Sequence, residues 1–482
     1  MKNKHLFLMA LSSSFISSLA AQSISVEEFK ELEHKVNKLQ NTVSKLHKEN
    51  RVLQAQKSSD SLQWSADFRT SVDNINYSMA NGTKQSNDAL LRNRLWLNMH
   101  YQVSENIKFG GQLAYNKLFG QRSLANAQSS AMDGFDWVSS QTGVDDKVRV
   151  RSIYIDYMDS NLFAQSIPWS FGIGRRPSNN GKLSTYREDD EASSPLAHIV
   201  NAEFDGGNIK FKLESLTGLK GSAIKLAAGR GMSNAEAYFT PTPYSSADSG
   251  TKNINMYALN ITPYKTSAIT TELQYTHASN LIDIQNSGFN QFGSFVASNY
   301  NPSLERVGDI ELFSTFIAFH GIKGIHKYLD QSTLFMSLAL SQTDPDKDKM
   351  MLGSTNSELG HSYWMGVQMP SLFSQKGKWG LEYNYGSRYW RSFTYAEDTA
   401  IGSKIATRGD AYEIYFTEPL AKGLSFQVRY TYIDYKYSGS NGFFGAQSGS
   451  AVKISSIPSS TDLAGTLVDT AKDLRCYLRY RF

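Results

Sequence analysis

From Leu62 onward the chain alternates apolar and polar residues with a period of two. Leu62, Trp64, Ala66, Phe68 and Val72 share one face, whereas Gln63, Ser65, Asp67, Arg69, Ser71 and Asp73 share the other. On a strand, this alternation means one apolar and one wet face. The end of the chain repeats it: Leu474, Cys476, Leu478, Tyr480 and Phe482 alternate with Arg475, Tyr477, Arg479 and Arg481. Further segments of this kind lie near 90–101, 106–117, 147–158, 167–175, 208–216, 222–229, 253–261 and 267–278. Six more lie near 308–320, 332–342, 361–370, 379–388, 410–417 and 424–437, which makes sixteen with the two terminal strands. An even count suits a bacterial single-chain barrel. The pattern predicts an all-β chain, a 16-stranded antiparallel transmembrane β-barrel over 62–482. A weak hairpin hidden in the segments near 279–307 or 438–469 would raise the count to eighteen.

The connections alternate in length. Short ones are expected near 102–105, 159–166, 262–266, 371–378 and 418–423, and long ones near 74–89, 118–146, 176–207, 230–252, 279–307, 343–360, 389–409 and 438–469. Short periplasmic turns and long external loops follow that order in outer-membrane barrels. Both barrel ends then fall on the periplasmic side. The third long loop, about 176–207, follows the fifth strand, a position from which the loop of general diffusion porins folds inward. It carries Arg176, Lys182 and Arg187, with Arg175 just before it, then the acidic run Glu188, Asp189, Asp190 and Glu191. Predicted lumen faces nearby hold Arg69, Arg92, Arg94, His100, Arg149, Lys210 and Lys212. Acid on the loop opposite base on the wall would set a transverse field across a constriction and select solutes by charge. Solvated loop and lumen charges without a constriction are the simpler alternative.

The first sixty residues follow other periods. Lys2 and Lys4 precede an apolar run from Leu6 to Leu19, and Ser18-Leu19-Ala20 offers small residues for cleavage, so 1–20 reads as a signal peptide. Over 21–57, Phe29, Val36, Val43 and Asn50 fall at heptad position a, and Leu32, Leu39, Leu46 and Leu53 at d. That seam predicts an N-terminal α-helical coiled coil in the periplasm, with residues 58–61 as a polar hinge. Val at a with Leu at d favours a dimer, whereas a porin favours a homotrimer.

Composition changes little in this picture. Twelve per cent of the 482 residues are aromatic, yet the mean hydropathy is −0.40 and no internal run of 18 apolar residues offers a membrane helix. Lysine plus arginine (49) nearly balances aspartate plus glutamate (45), so no nucleic-acid partner is suggested. One cysteine excludes a disulfide scaffold. Asp344, Asp346 and Asp348 begin a calcium-loop pattern, but Lys349 stands where the turn glycine belongs, so no metal is expected. Gly172-x-Gly174 lacks the continuation of a phosphate loop, and no cofactor is expected. Tyr383, Tyr385, Tyr430, Tyr432 and Tyr480 suit an interfacial aromatic girdle.

The stretches SVDNINYSMANGTKQSNDALLRNRLWLNM (71–99), IPWSFGIGRRPSNNGK (167–182) and EDDEASSPLAHIVNAEFDGG (188–207) resemble a family of bacterial outer-membrane proteins known only as a domain of unknown function. The resemblance implies location and fold, and brings no substrate. The C-terminal Leu478, Tyr480 and Phe482 resemble the signal read by the barrel-assembly machinery. The expected protein is an outer-membrane porin passing small hydrophilic solutes, with lipid around the barrel and no enzymatic activity. A plugged surface barrel binding partners through its loops, and a barrel-embedded lipid hydrolase, are the alternatives.

Overall fold

A computed structural model describes residues 62–482 except 121–145, 163–165, 179, 234, 237–244, 247–252, 290–294, 322–325, 395–396 and 442–450. The signal peptide, the coiled-coil seam and the hinge lie outside the described residues.

Sixteen strands form the wall. They are β1 Gln63–Met79, β2 Lys84–Gln102, β3 Ile107–Leu118, β4 Arg149–Asp159, β5 Trp169–Ser178, β6 Val200–Lys212, β7 Ala223–Met232 and β8 Ile254–Lys265. The second half is β9 Ile269–Phe289, β10 Phe295–His320, β11 Thr333–Pro345, β12 Leu359–Pro370, β13 Lys378–Gly386, β14 Gly409–Ala421, β15 Leu424–Tyr435 and β16 Val468–Arg481. Each pairs antiparallel with the next, and β1 also pairs with β16, Arg69 opposite Arg479, so the sheet closes without a free edge. The segments near 279–307 and 438–469 add no wall strand among the described residues, so the count is sixteen.

Alternation sorts the side chains. Trp64, Phe68, Ile155, Ile173, Leu338, Ile414 and Leu478 point outward and stay exposed, while Asp67, Arg69, Asp73, Arg94, Glu382, Glu413, Arg475 and Arg479 point inward and are buried. This is inside out relative to a soluble domain. An exposed apolar exterior is stable against hydrocarbon and costly against water, and a closed ladder pairs the backbone groups between neighbouring strands.

Two expected long loops are strand instead. Residues 74–89 form a hairpin turning at 80–83, and β9 and β10 run on as far as Phe289 and from Phe295. At about 3.3 Å per residue, the 26 residues of β10 far exceed an apolar band of about 25 Å, so the hairpin projects beyond it.

β1 begins and β16 ends at the same rim, the terminal rim, where the backbones of Ala66 and Phe482 are hydrogen-bonded. Two loops from the opposite rim turn into the lumen: L3, residues 180–199, and L7, the described residues of 387–408. L3 holds a short helix, α1 Ser184–Glu188, preceded by Leu183 at φ 78° and ended by Asp189 in the left-handed region. A leucine there is strained, and its complete burial holds it. L7 pairs its Phe393-Thr394 with Val200-Asn201 of β6 in parallel. It lies so close to the wall that a methyl at Gly360 would collide with the backbone of Tyr389 and Trp390, and one at Gly386 with the carbonyl of Thr407. Trp390 and Phe393 of L7, Ile199 of L3 and the inward faces of β6 and β8–β11 form an apolar cluster inside the barrel.

Candidate functional site: the loop-filled lumen

The site follows from a problem of charge. Inward strand positions carry arginines and carboxylates, and folding L3 and L7 among them removes water. Buried charges must then be paired. Glu188, at the end of α1, takes Arg429 Nη1 at 3.0 Å and lies 3.7 Å from Arg69 Nη1, while the Tyr477 hydroxyl donates to it at 3.3 Å. Burial alone would raise its carboxyl, but Arg429, Arg187, Arg69 and Arg479 hold it well below the usual carboxylate range. Asp190 is bound by Arg479 at 3.0 Å and Arg481 at 3.1 Å. Arg187 reaches Glu413 on β14 at 3.3 Å and donates to the Glu397 carbonyl. Asp189 meets Lys378 at 2.6 Å nearer the surface. Gln368 and Gln427 donate to the carbonyls of Tyr186 and Arg187, so strands β12 and β15 also hold the helix.

L7 supplies the complementary charges. Asp398 receives Arg69 and Arg94, each at 2.6 Å, and its carbonyl accepts from Arg475 at 2.9 Å. Arg92 and Arg475 share Asp73, and Arg94 and Arg479 share Asp67. Lys404 bridges Glu382 at 2.6 Å and Glu413 at 2.7 Å. Its ammonium sits 5.2 Å from the centre of the Trp364 ring, and the Trp364 indole donates to Glu382. On the β1, β2 and β14–β16 side, wall and loops thus form one ion-paired network.

The remaining residues singled out above lie around it. Arg175 pairs with Glu203 at 3.0 Å, Arg176 with Asp156 at 2.7 Å, and Lys182 with Glu272. Glu191 and His100 line a cavity of about 570 Å³ on the terminal-rim side, with Asn98, Gln112, Arg151, Tyr154 and Asn180. Arg149 is half-exposed on the far part of β4, opposite the buried Ala114. The buried arginine of that strand is Arg151, bound to Glu203 at 3.1 Å and stacked 4.1 Å from the Trp96 ring centre. At the register shift between Gln112 and Leu113, Arg151 and its neighbour Ser152 are both buried, as a bulge allows. Lys210 and Lys212 are inward but exposed, away from the acidic end of L3. A field across an open gap was expected between L3 acids and wall bases; the structure has them in direct contact instead.

A family model described as a protein of unknown function (DUF3373) matches residues 84–482. The chain belongs to that family. No curated protein matches it. Solved structures similar to this DUF3373 barrel include an anion-selective porin from Comamonas acidovorans, at 12% identity and TM-score 0.45, covering 88% of this chain and 99% of that one. OprB of Pseudomonas putida matches at 12% identity and TM-score 0.46, covering 89% and 96%. OmpT, an outer membrane protein of Vibrio cholerae, matches at 12% identity and TM-score 0.44, covering 87% and 97%.

Several residues of the DUF3373 lumen escape a reading of the sequence: Asp398, Lys404, Glu382, Glu413, Trp364, Trp390 and His198. The apolar Trp390, Phe393, Ile401 and Ile405 inside a long loop were the signal available, since a solvated loop has little use for them. His198, at the end of L3, is fully buried between Ser337, 2.8 Å from Nδ1, and Ser362, 2.9 Å from Nε2. Neither ring nitrogen meets a carboxylate, so this serine–histidine contact lacks the acid of a hydrolytic triad.

Burial pushes the His198 imidazole down to about 3. An undocked loop would carry an ordinary histidine near 6.5. Docking therefore excludes a proton, and its stability is complete above about pH 6.5 and is lost as the pH falls towards 3. Between pH 7 and pH 5 docking should weaken by about 2 kcal/mol. His198→Gln should flatten that dependence. Hydrogen exchange of the 183–199 backbone at the two pH values measures it, and equal protection in both proteins at both values would refute the assignment.

Proposed function

We propose that this DUF3373 member is an outer-membrane porin for small hydrophilic solutes, in which L3 and L7 together narrow the pore. The terminal rim faces the periplasm and the long loops face outward. The observation that carries this reading is the passage of L3 across a polar lumen to the opposite wall, with the 570 Å³ cavity beneath it. The apolar exterior supports the membrane setting. Leu478, Tyr480 and Phe482, all exposed on the outer face of the closing strand, suit recognition by the assembly machinery, and a homotrimer suits the barrel type. No catalytic step belongs to this reading.

Planar-bilayer recordings of the purified full chain are the test. Discrete conductance steps are expected, and a reversal potential in a salt gradient gives the preferred ion. Intact barrels that insert without conductance would overturn the porin.

A second reading has its own observation. The Trp390–Phe393 cluster packs buried apolar side chains between L7 and the inward faces of β6 and β8–β11. That favours a closed barrel acting through its external loops. Conductance that appears only after L7 is loosened would decide for it.

A further inference from the structure

One stretch of the lumen wall carries cations that no described carboxylate answers. On β6, β7 and β8, the inward residues Lys210, Lys212, Lys225 and Lys265 have no carboxylate within 4.0 Å among the described residues, whereas the lumen arginines described above are each paired. Lys210 lies directly opposite Lys225 in the strand register, and Lys225 lies opposite Asn260 on its other side. Directly opposed side chains on neighbouring strands are about 5 Å apart at Cβ, and like charges there cost stability. The nearest carboxylates are committed, Glu272 to Lys182 of L3 and Asp156 to Arg176. Lys265, Lys210 and Lys225 all lie near enough to act electrostatically on Lys182. Between them the amide nitrogen of Asn260 is covered and has no acceptor among the described residues. A small cavity bordered by Lys225, Asn208, Asn260, Gln274 and Arg176 opens beside it.

Four ammonium groups and an unmet amide donor, without a carboxylate to answer them, describe an anion site that the fold leaves unfilled. We propose that this lysine array binds small multivalent oxyanions, phosphate-type groups with two or more negative charges, on the lumen wall between L3 and the terminal rim. A single chloride would answer only one of the charges, whereas a tetrahedral oxyanion accepts from several ammonium donors at once. The assignment rests on the lumen's being open to solutes from at least one rim, which the porin reading supplies. It deepens that reading by naming the solute class.

The probe is pyrophosphate, titrated calorimetrically into the detergent-solubilised full chain, with chloride and methanesulfonate as monovalent controls. Saturable binding is expected for pyrophosphate alone, weakening as salt rises. The double variant K210Q/K225Q should bind at least tenfold more weakly, while Lys376→Gln, on a turn at the terminal rim, should bind like the wild type. Heat-modifiable migration on gels confirms that each variant is folded. Absence of saturable binding, equal binding by the double variant, or equal binding of methanesulfonate would overturn the proposal. In bilayers, pyrophosphate should reduce chloride current through the wild type and spare the double variant. Calorimetric binding without any conductance would overturn the porin reading and leave the anion site standing.

Discussion

Arg479→Ala should be among the most damaging single substitutions in the lumen. Arg479 is almost fully buried and donates to Asp67 through Nε at 2.9 Å, to both oxygens of Asp190 at 3.0 Å, and to the Glu188 carbonyl at 2.8 Å. It binds the closing strand, β1 and the acidic end of L3 together. Its removal leaves Asp67 to Arg94 alone, and Asp190 to the more exposed Arg481. Breaking a buried ion pair from one side typically costs about 3–5 kcal/mol, because the partner charge stays behind. L3 should therefore release at this end. Arg479→Lys should recover only part of the loss, since a point charge cannot reproduce the forked contacts. Arg481→Ala should cost under about 1 kcal/mol, as expected for a solvent-screened pair. Thermal unfolding of the detergent-solubilised barrel measures the first effect, and conductance noise in bilayers reports the loosened loop. An Arg479→Ala protein as stable and as quiet as the wild type would refute the role of L3 as a docked element.

The contrast between Asp67 and Asp398 explains how much of this site could be read from the sequence. Asp67 falls between Ala66 and Phe68 in an alternating run, so its inward face follows from the period of two. All sixteen strands were legible for this reason, because alternation is a local property that a lipid exterior enforces. It shifts phase past the bulge at Asp73/Ile75: Asn74, Asn76 and Ser78 take one face and the buried Ile75 and Met79 the other, and 74–89 reads as loop although it is a hairpin. It breaks at a bulge, where the neighbours Arg151 and Ser152 are both buried. Asp398 lies 329 positions from its partner Arg69, in a loop without periodicity. Alternation assigns a face but neither a depth nor a partner, so the network linking L3, L7 and the wall was beyond its reach. The position of L3 after the fifth strand pointed inward; nothing comparable marked L7 except its buried apolar residues.

Those residues make Trp390→Ala the second large effect and the experiment that separates a narrow pore from a closed barrel. Trp390 is completely buried, donates its indole N–H to the Ile405 carbonyl at 2.8 Å, and packs edge-on to the His198 ring at 5.5 Å. It therefore ties the two halves of L7 to each other and to the end of L3. Truncating a buried tryptophan costs about 3–5 kcal/mol through lost burial and the cavity left behind. The wall strands do not depend on it, because their ladder and their lipid face are intact, so the loss should fall on L7 rather than on the barrel. The folded barrel should survive, with L7 more open to proteolysis and hydrogen exchange. If L7 is a lid over a closed lumen, conductance absent in the wild type should appear in the variant. If L7 only narrows an open pore, the wild type should already conduct and the variant should show a larger step with weaker ion selectivity. A variant that keeps wild-type conductance together with wild-type L7 protection would remove Trp390 from both accounts. The apolar cluster would then be a stabilising core, and control of the lumen would rest on L3 and its arginines.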